Sequence, residues 1–219
     1  MKAMLYADWL NFRQSIRSML FILLVFAFTA FTWGKTMFFI MIVAMLSILL
    51  PATLCASDQA YGWDKLSLSL PILRREVVQS KFLLGLLVNL ALFLLAAAMT
   101  AAYSLVDPST SMTENMLSLF AGELIALFLM GVMFAITFRF GVEKSRYILI
   151  AVVWIPILAM AGLVKFDIIP GIVDAINQGF YQLETASLGL PVAAALLVCL
   201  AIYAVSYVIS VHTYQKKEL

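Results

Sequence analysis

The chain has 219 residues, of which 64% are hydrophobic and only 12% charged, with a formal charge of +2. Soluble domains carry about 25% charged residues, so a water-soluble globule is excluded and an all-α membrane protein is expected. The longest polar intervals, 57–81 and 165–185, are too short to fold alone. Residues 1–219 are therefore expected to form a single membrane domain.

At the start, Met4, Leu5, Trp9, Leu10 and Phe12 mix with Asp8, Arg13 and Arg17. That pattern predicts an amphipathic cytosolic helix over 1–17, resting on the inner leaflet with its cations in water. Six apolar runs follow: Ser18–Gly34, Met37–Ala56, Phe82–Val106, Met116–Phe138, Tyr147–Val164 and Ala186–Val211. About 18 apolar residues are enough to cross a hydrocarbon core about 30 Å thick. Lys2, Arg13 and Arg17 precede the first run as in a signal peptide, yet no small-x-small cleavage site closes it. A signal anchor that serves as first span is the expectation.

Gly34–Thr36 leaves room only for a tight turn between the first two runs. Pro51 and Pro156 each remove a helical hydrogen bond and are expected to kink their spans. Ala96–Ala98 with Ala101 and Ala102 gives the third span a small face suited to close packing. Between spans five and six, Ile172, Val173, Ile176, Phe180 and Leu183 share one helical face. Pro170–Leu183 thus reads as a short helix in the outer interface, or as a loop whose apolar residues touch lipid.

With the N-terminus in the cytosol, twelve of the fourteen Lys and Arg residues fall inside, and only Lys35 and Lys165 outside. Cytoplasmic loops carry such an excess of cations. Six spans with both termini cytosolic are expected.

Little in the chain points to catalysis. His212 stands without Cys or carboxylate neighbours at ligand spacing, and Cys55 and Cys199 both lie within spans, so no metal site or disulfide is expected. Trp33-Gly34-Lys35-Thr36 ends like a phosphate loop, but Thr29 stands where the first glycine belongs. The chain itself is expected to be no enzyme and to bind no cofactor. Glu123 is the only charge within a span, and intramembrane carboxylates are functional candidates by default. It is a candidate on a transport path, or else a structural group paired with a hydroxyl such as Thr100 or Tyr103.

The largest polar segment is Ser57–Lys81, which holds four of the fourteen cations between two uncharged runs. Trp63, Asp64, Lys65, Leu66, Ser69 and Leu70 fit two helical turns with Leu66 and Leu70 on one face. Pro71 then ends that helix and suits the first turn of the next, where Arg74, Arg75 and Glu76 lead into span three. A lipid-headgroup anchor needs the cations but not Trp63, Asp64 or the alternation of Ser and Leu.

Gly62-Trp63-Asp64-Lys65, Ser69-Leu70-Pro71, Arg74, Glu76-Val77-Val78 and Ser80-Lys81 form one block, and Phe140–Arg146 a second at the end of span four. With these blocks the chain resembles the permease subunits of type-2 ABC exporters. It is most similar to a small six-span bacterial group that includes the permeases of the phenol-soluble-modulin exporter. The resemblance implies a plasma-membrane subunit that pairs with a second copy or a sister permease and with two cytosolic ABC ATPases. Those ATPases would bind ATP and Mg. It also implies that Asp64–Pro71 is the coupling helix docking into an ATPase groove. Gly141, Glu143, Lys144 and Arg146 would take a supporting place at the cytosolic mouth.

A bundle so apolar suits an amphipathic, lipid-like or peptide cargo better than a small ion. No nucleic-acid partner is expected. Two other readings stay open: an ATP-independent carrier that uses Glu123 as its proton site, and a non-transporting immunity or scaffold protein.

Overall fold

The computed structural model describes residues 2–33, 36–60, 73–106, 112–165 and 189–216. They form α1 (Lys2–Trp33), α2 (Thr36–Ala60), α3 (Arg74–Val106), α4 (Met112–Phe140), α5 (Val142–Lys165) and α6 (Gly189–Gln215). A helix bonds its own backbone, as an apolar segment must where no water reaches it. Among the described residues, Phe39–Ala56, Arg74–Leu105, Asn115–Phe140 and Ala193–Gln215 are long and apolar enough to cross a membrane. The two halves of α1 make a fifth such segment if they are taken together. The turn at Gly34–Lys35 and the interfacial helix expected over Pro170–Leu183 lie outside the described residues.

Helical structure continues through Pro51 in α2 and Pro156 in α5. A sharp bend lies in α1, where Met4–Arg13 and Ser15–Thr29 meet at 51°. The amphipathic stretch expected over the first 17 residues falls within α1, with Met4–Arg13 as an arm set at that angle to the rest. Met4, Asp8 and Phe12, spaced i, i+4 and i+8, are buried, while Tyr6, Trp9 and Arg13 stay exposed. Tertiary packing has turned the inner stripe of the amphipathic helix towards protein.

α4 is the centre of the bundle. It packs against α2, α3, α5 and α6, while α1 lies against α2 and α3. Its contact with α3 and α6 is aromatic. Phe82 stacks on Phe134 at 4.4 Å between ring centroids and meets Tyr203 edge-on at 5.2 Å. Phe138 extends the cluster to Tyr214 at 5.7 Å. The Tyr203 hydroxyl donates to the Phe82 carbonyl at 2.8 Å, which satisfies its polar tip within this packing.

Glycine sets how closely these helices approach. A Cβ on Gly85 would stand 2.9 Å from two ring carbons of Phe134, and one on Gly131 would stand 3.2 Å from the Tyr203 ring. Apolar surface, by contrast, is left outside on α5, where Tyr147, Ile150, Trp154, Ile155 and Leu158 are exposed. Such a face is at home in lipid.

Gly85→Val should therefore displace Phe134 and cost about 1–3 kcal/mol, the usual penalty of overpacking. Gly162→Ala, where an added Cβ meets nothing within 4 Å, should cost nothing. Thermal melts in detergent should show a lower midpoint for the first variant and an unchanged one for the second.

Candidate functional site

Three charged side chains from three helices meet inside the protein. Lys81 of α3 places Nζ 3.3 Å from Oδ1 of Asp8 on α1 and in contact with Oδ2 of Asp58 on α2. The side chains of Lys81 and both aspartates are only 2–3% exposed. Ser80 Oγ stands 2.5 Å from Asp8 Oδ2 and 3.0 Å from the Val77 carbonyl, so its single hydrogen has two acceptors in reach. Val77, Val78, Phe82 and Leu84 are buried around Lys81. Charges so enclosed are tolerated only when paired.

Asp58 lies in the last turn of α2, and Lys81 is in the second turn of α3. The cluster therefore bridges the two helices that flank segment 61–72. Trp63, Asp64, Lys65, Leu66, Ser69, Leu70 and Pro71 lie outside the described residues. The start of α3 is fastened a second time. Arg74 donates to the carbonyl of Gln215 at the end of α6 at 2.8 Å, and Arg75 Nε donates to the Tyr207 hydroxyl at 3.2 Å. A cation at a helix C-terminus meets both free carbonyls and the negative end of the dipole. Glu76, in the first turn of α3, sits at the complementary positive end.

Glu123 lies on α4 and is partly buried. Its carboxylate accepts a hydrogen bond from Nδ2 of Asn89 on α3, in close contact. Neither hydroxyl considered from the sequence takes this place: Thr100 donates to the Ala96 carbonyl at 2.8 Å, and the partner found for Glu123 is Asn89. Asn89 is fully buried, and its Oδ1 has no hydrogen-bond partner among the described residues. The pair links two membrane-spanning helices and leaves an unused acceptor beside a carboxylate.

At the far end of α4, Gly141 has φ +85°, a left-handed conformation that side chains with a Cβ adopt at a cost of roughly 1–2 kcal/mol. Its N–H donates to the Thr137 carbonyl at 2.9 Å, and its own carbonyl accepts from the Ser145 N–H at 3.1 Å. One residue thus ends α4 and starts α5. Glu143, Lys144 and Arg146 all face outward on the first turns of α5. They share an end of the molecule with Gly141 but no mutual bond is seen among the described residues.

A family model described as ABC-2 family transporter protein matches residues 3–215. The chain belongs to the ABC-2 transporter family. It is a multi-pass permease of the cell membrane, and the family implies an ABC ATPase as partner. Searches of curated proteins and of solved structures returned no match.

Reading the sequence alone passed over three residues of the permease. Asp8 enters that reading only as one polar residue of an amphipathic helix, yet it stands midway between Met4 and Phe12 on an apolar stripe. Lys81 enters as an inside cation and as the end of the 62–81 block, although Val77, Val78 and Phe82 lie close to it in the sequence. Asn89 stands alone among the apolar residues of span three and carries the same kind of signal as Glu123.

The Asn89–Glu123 bond makes a stability test. Glu123→Gln keeps an acceptor for Asn89 and should leave folding nearly unchanged. Glu123→Leu would strand a buried amide at a cost of about 1–3 kcal/mol. The midpoint of unfolding in sodium dodecyl sulfate titrations should fall for Leu and hold for Gln.

Proposed function

We propose that this permease is the membrane-spanning subunit of an ATP-driven exporter, with six spans and both termini in the cytosol. It works with two cytosolic ATPase subunits and with a second permease copy or a sister permease. ATP and Mg are bound by the ATPases, and this chain performs no chemistry of its own. Its sequence blocks at 62–81 and 140–146 resemble those of the small group that includes the phenol-soluble-modulin exporter permeases, which supports membership of that group.

The observation that carries this reading is the family match across residues 3–215. Coupling falls to Trp63–Glu76, with Trp63, Leu66 and Leu70 as apolar anchors and the neighbouring charges setting register. The fastening of the flanking helices supports this role. A force applied to segment 61–72 meets α2 and α3 already joined through Lys81, and α3 tied to α6 through Arg74. Gly141, Glu143, Lys144 and Arg146 contribute at the cytosolic mouth. The cargo is amphipathic, lipid-like or a peptide, in keeping with the scarcity of charge within the spans.

A second reading has one observation in its favour. The Glu123–Asn89 pair would suit the proton site of an ATP-independent carrier. In that case Glu123→Gln would abolish transport while an ATPase was dispensable.

The deciding experiment is co-purification with the ABC ATPase, together with ATP hydrolysis in reconstituted vesicles. Anchors seated in a partner pocket cost about 2 kcal/mol or more on truncation, a loss of some thirtyfold in affinity. Leu66→Ala combined with Leu70→Ala should break the complex and leave the bundle folded. Wild-type levels of both complex and hydrolysis in the double variant would reduce the segment to a membrane anchor.

A further inference from the structure

A groove of about 670 Å³ runs between α1 and α3, within the range of about 300–1,000 Å³ usual for ligand sites. Tyr6, Trp9, Ile16 and Leu20 of α1 face Leu87 and Leu95 of α3 across it, so its walls are apolar or aromatic. Tyr6, Trp9, Leu20 and Leu87 are each about half-exposed, which leaves the groove open to its surroundings rather than sealed in the core.

Its length suits a hydrocarbon chain from one leaflet. The uncharged run of α3 begins at Phe82, directly after Lys81, and the lining extends from Leu84 to Leu95. At 1.5 Å per residue that stretch covers about 16 Å of helix, close to half of a hydrocarbon core about 30 Å thick.

Charge stands beside the α1 wall. Arg13 and Arg17 are exposed and lie on either side of the bend in α1. Arg13 follows Trp9 by one helical turn, and Arg17 precedes Leu20 by one, so both share a face with the lining. Lys81 has Asp8 and Asp58, while Arg74 and Arg75 have acceptors on α6. The side chains of Arg13 and Arg17 have neither an ion pair nor a hydrogen bond among the described residues. Like charges four residues apart on a helix repel, and an anion seated between them removes that cost.

We propose that the groove between α1 and α3 binds one anionic phospholipid, with an acyl chain between Leu20 and Leu95 and the headgroup phosphate on Arg13 and Arg17. This needs only that the chain spans a membrane and does not depend on the exporter reading. The guanidinium fork matches phosphate oxygens two at a time. Tyr6 and Trp9 supply rings of the kind that settle at headgroup level. An isologous contact between two copies centred here would instead set Arg13 and Arg17 against their own counterparts.

Full-length permease in mild detergent is offered equal amounts of phosphatidylglycerol and phosphatidylcholine with identical chains, and native mass spectrometry reads what each chain retains. One phosphatidylglycerol should be held, preferred about tenfold or more, as two cations near an anionic lipid provide. Arg13→Gln combined with Arg17→Gln should lose the preference, and Arg13→Lys combined with Arg17→Lys should keep most of it. Ala91→Trp, at an exposed position in the groove wall, should lose lipid of either kind.

Equal retention of the two lipids by the parent overturns the proposal, as does an undiminished preference in the double Gln variant. Phosphatidylglycerol retained by Ala91→Trp also overturns it, because the arginines would then hold a headgroup without the groove. A parent dimer that Ala91→Trp breaks while lipid binding stays unchanged would make the groove a contact between copies and overturn it likewise. Should Ala91→Trp fail to fold, Leu87→Trp decides in the same way.

Discussion

Helices surrounded by lipid gain almost nothing by hiding apolar side chains from their solvent, so close shape fit must hold them together. The contact of α4 with α3 and α6 is where this constraint is met. Phe82, Phe134 and Tyr203 interlock because Gly85 and Gly131 let the backbones come near. Everything else is arranged about that centre. α2 covers another side of α4, α1 lies beyond on α2 and α3, and α5 packs on α4 and α2.

The same lack of solvent makes each polar group within the bundle conspicuous. Most hydroxyls solve the problem locally, as Ser47, Thr100, Thr137 and Ser210 do by bonding a carbonyl one turn back. Two groups do not. Asn89 with Glu123 joins α3 to α4, and Lys81 with Asp8 and Asp58 joins α3 to α1 and α2. α3 thus carries both of these polar links while its first residues hold the end of α6. A helix tied at so many points is well placed to pass movement from the polar segment before it to the membrane-spanning region.

Much of the architecture was legible in the order of residues. Long uncharged runs identify the helices, since an apolar backbone in lipid has few forms open to it. The family blocks at 62–81 and 140–146 agree with the family assignment. Local geometry at Gly141 is likewise written in the residue type, because a left-handed turn between two helices favours glycine. Pro51 and Pro156 both lie within helix, and a sharp bend occurs in α1, where no proline marks it.

Which polar residues meet was decided by tertiary structure alone. Asp8, Asp58 and Lys81 are far apart in the chain, and each has a plausible place at a watery helix end when considered singly. Only the packing of α1 against α2 and α3 closes water off from all three and turns an ordinary amphipathic stripe into an ion cluster. For Glu123 the sequence marked the residue but not its partner. Helix rotation selects Asn89 over Thr100 and Tyr103, and rotation is set by how rings and glycines fit between neighbours rather than by any periodicity within one helix.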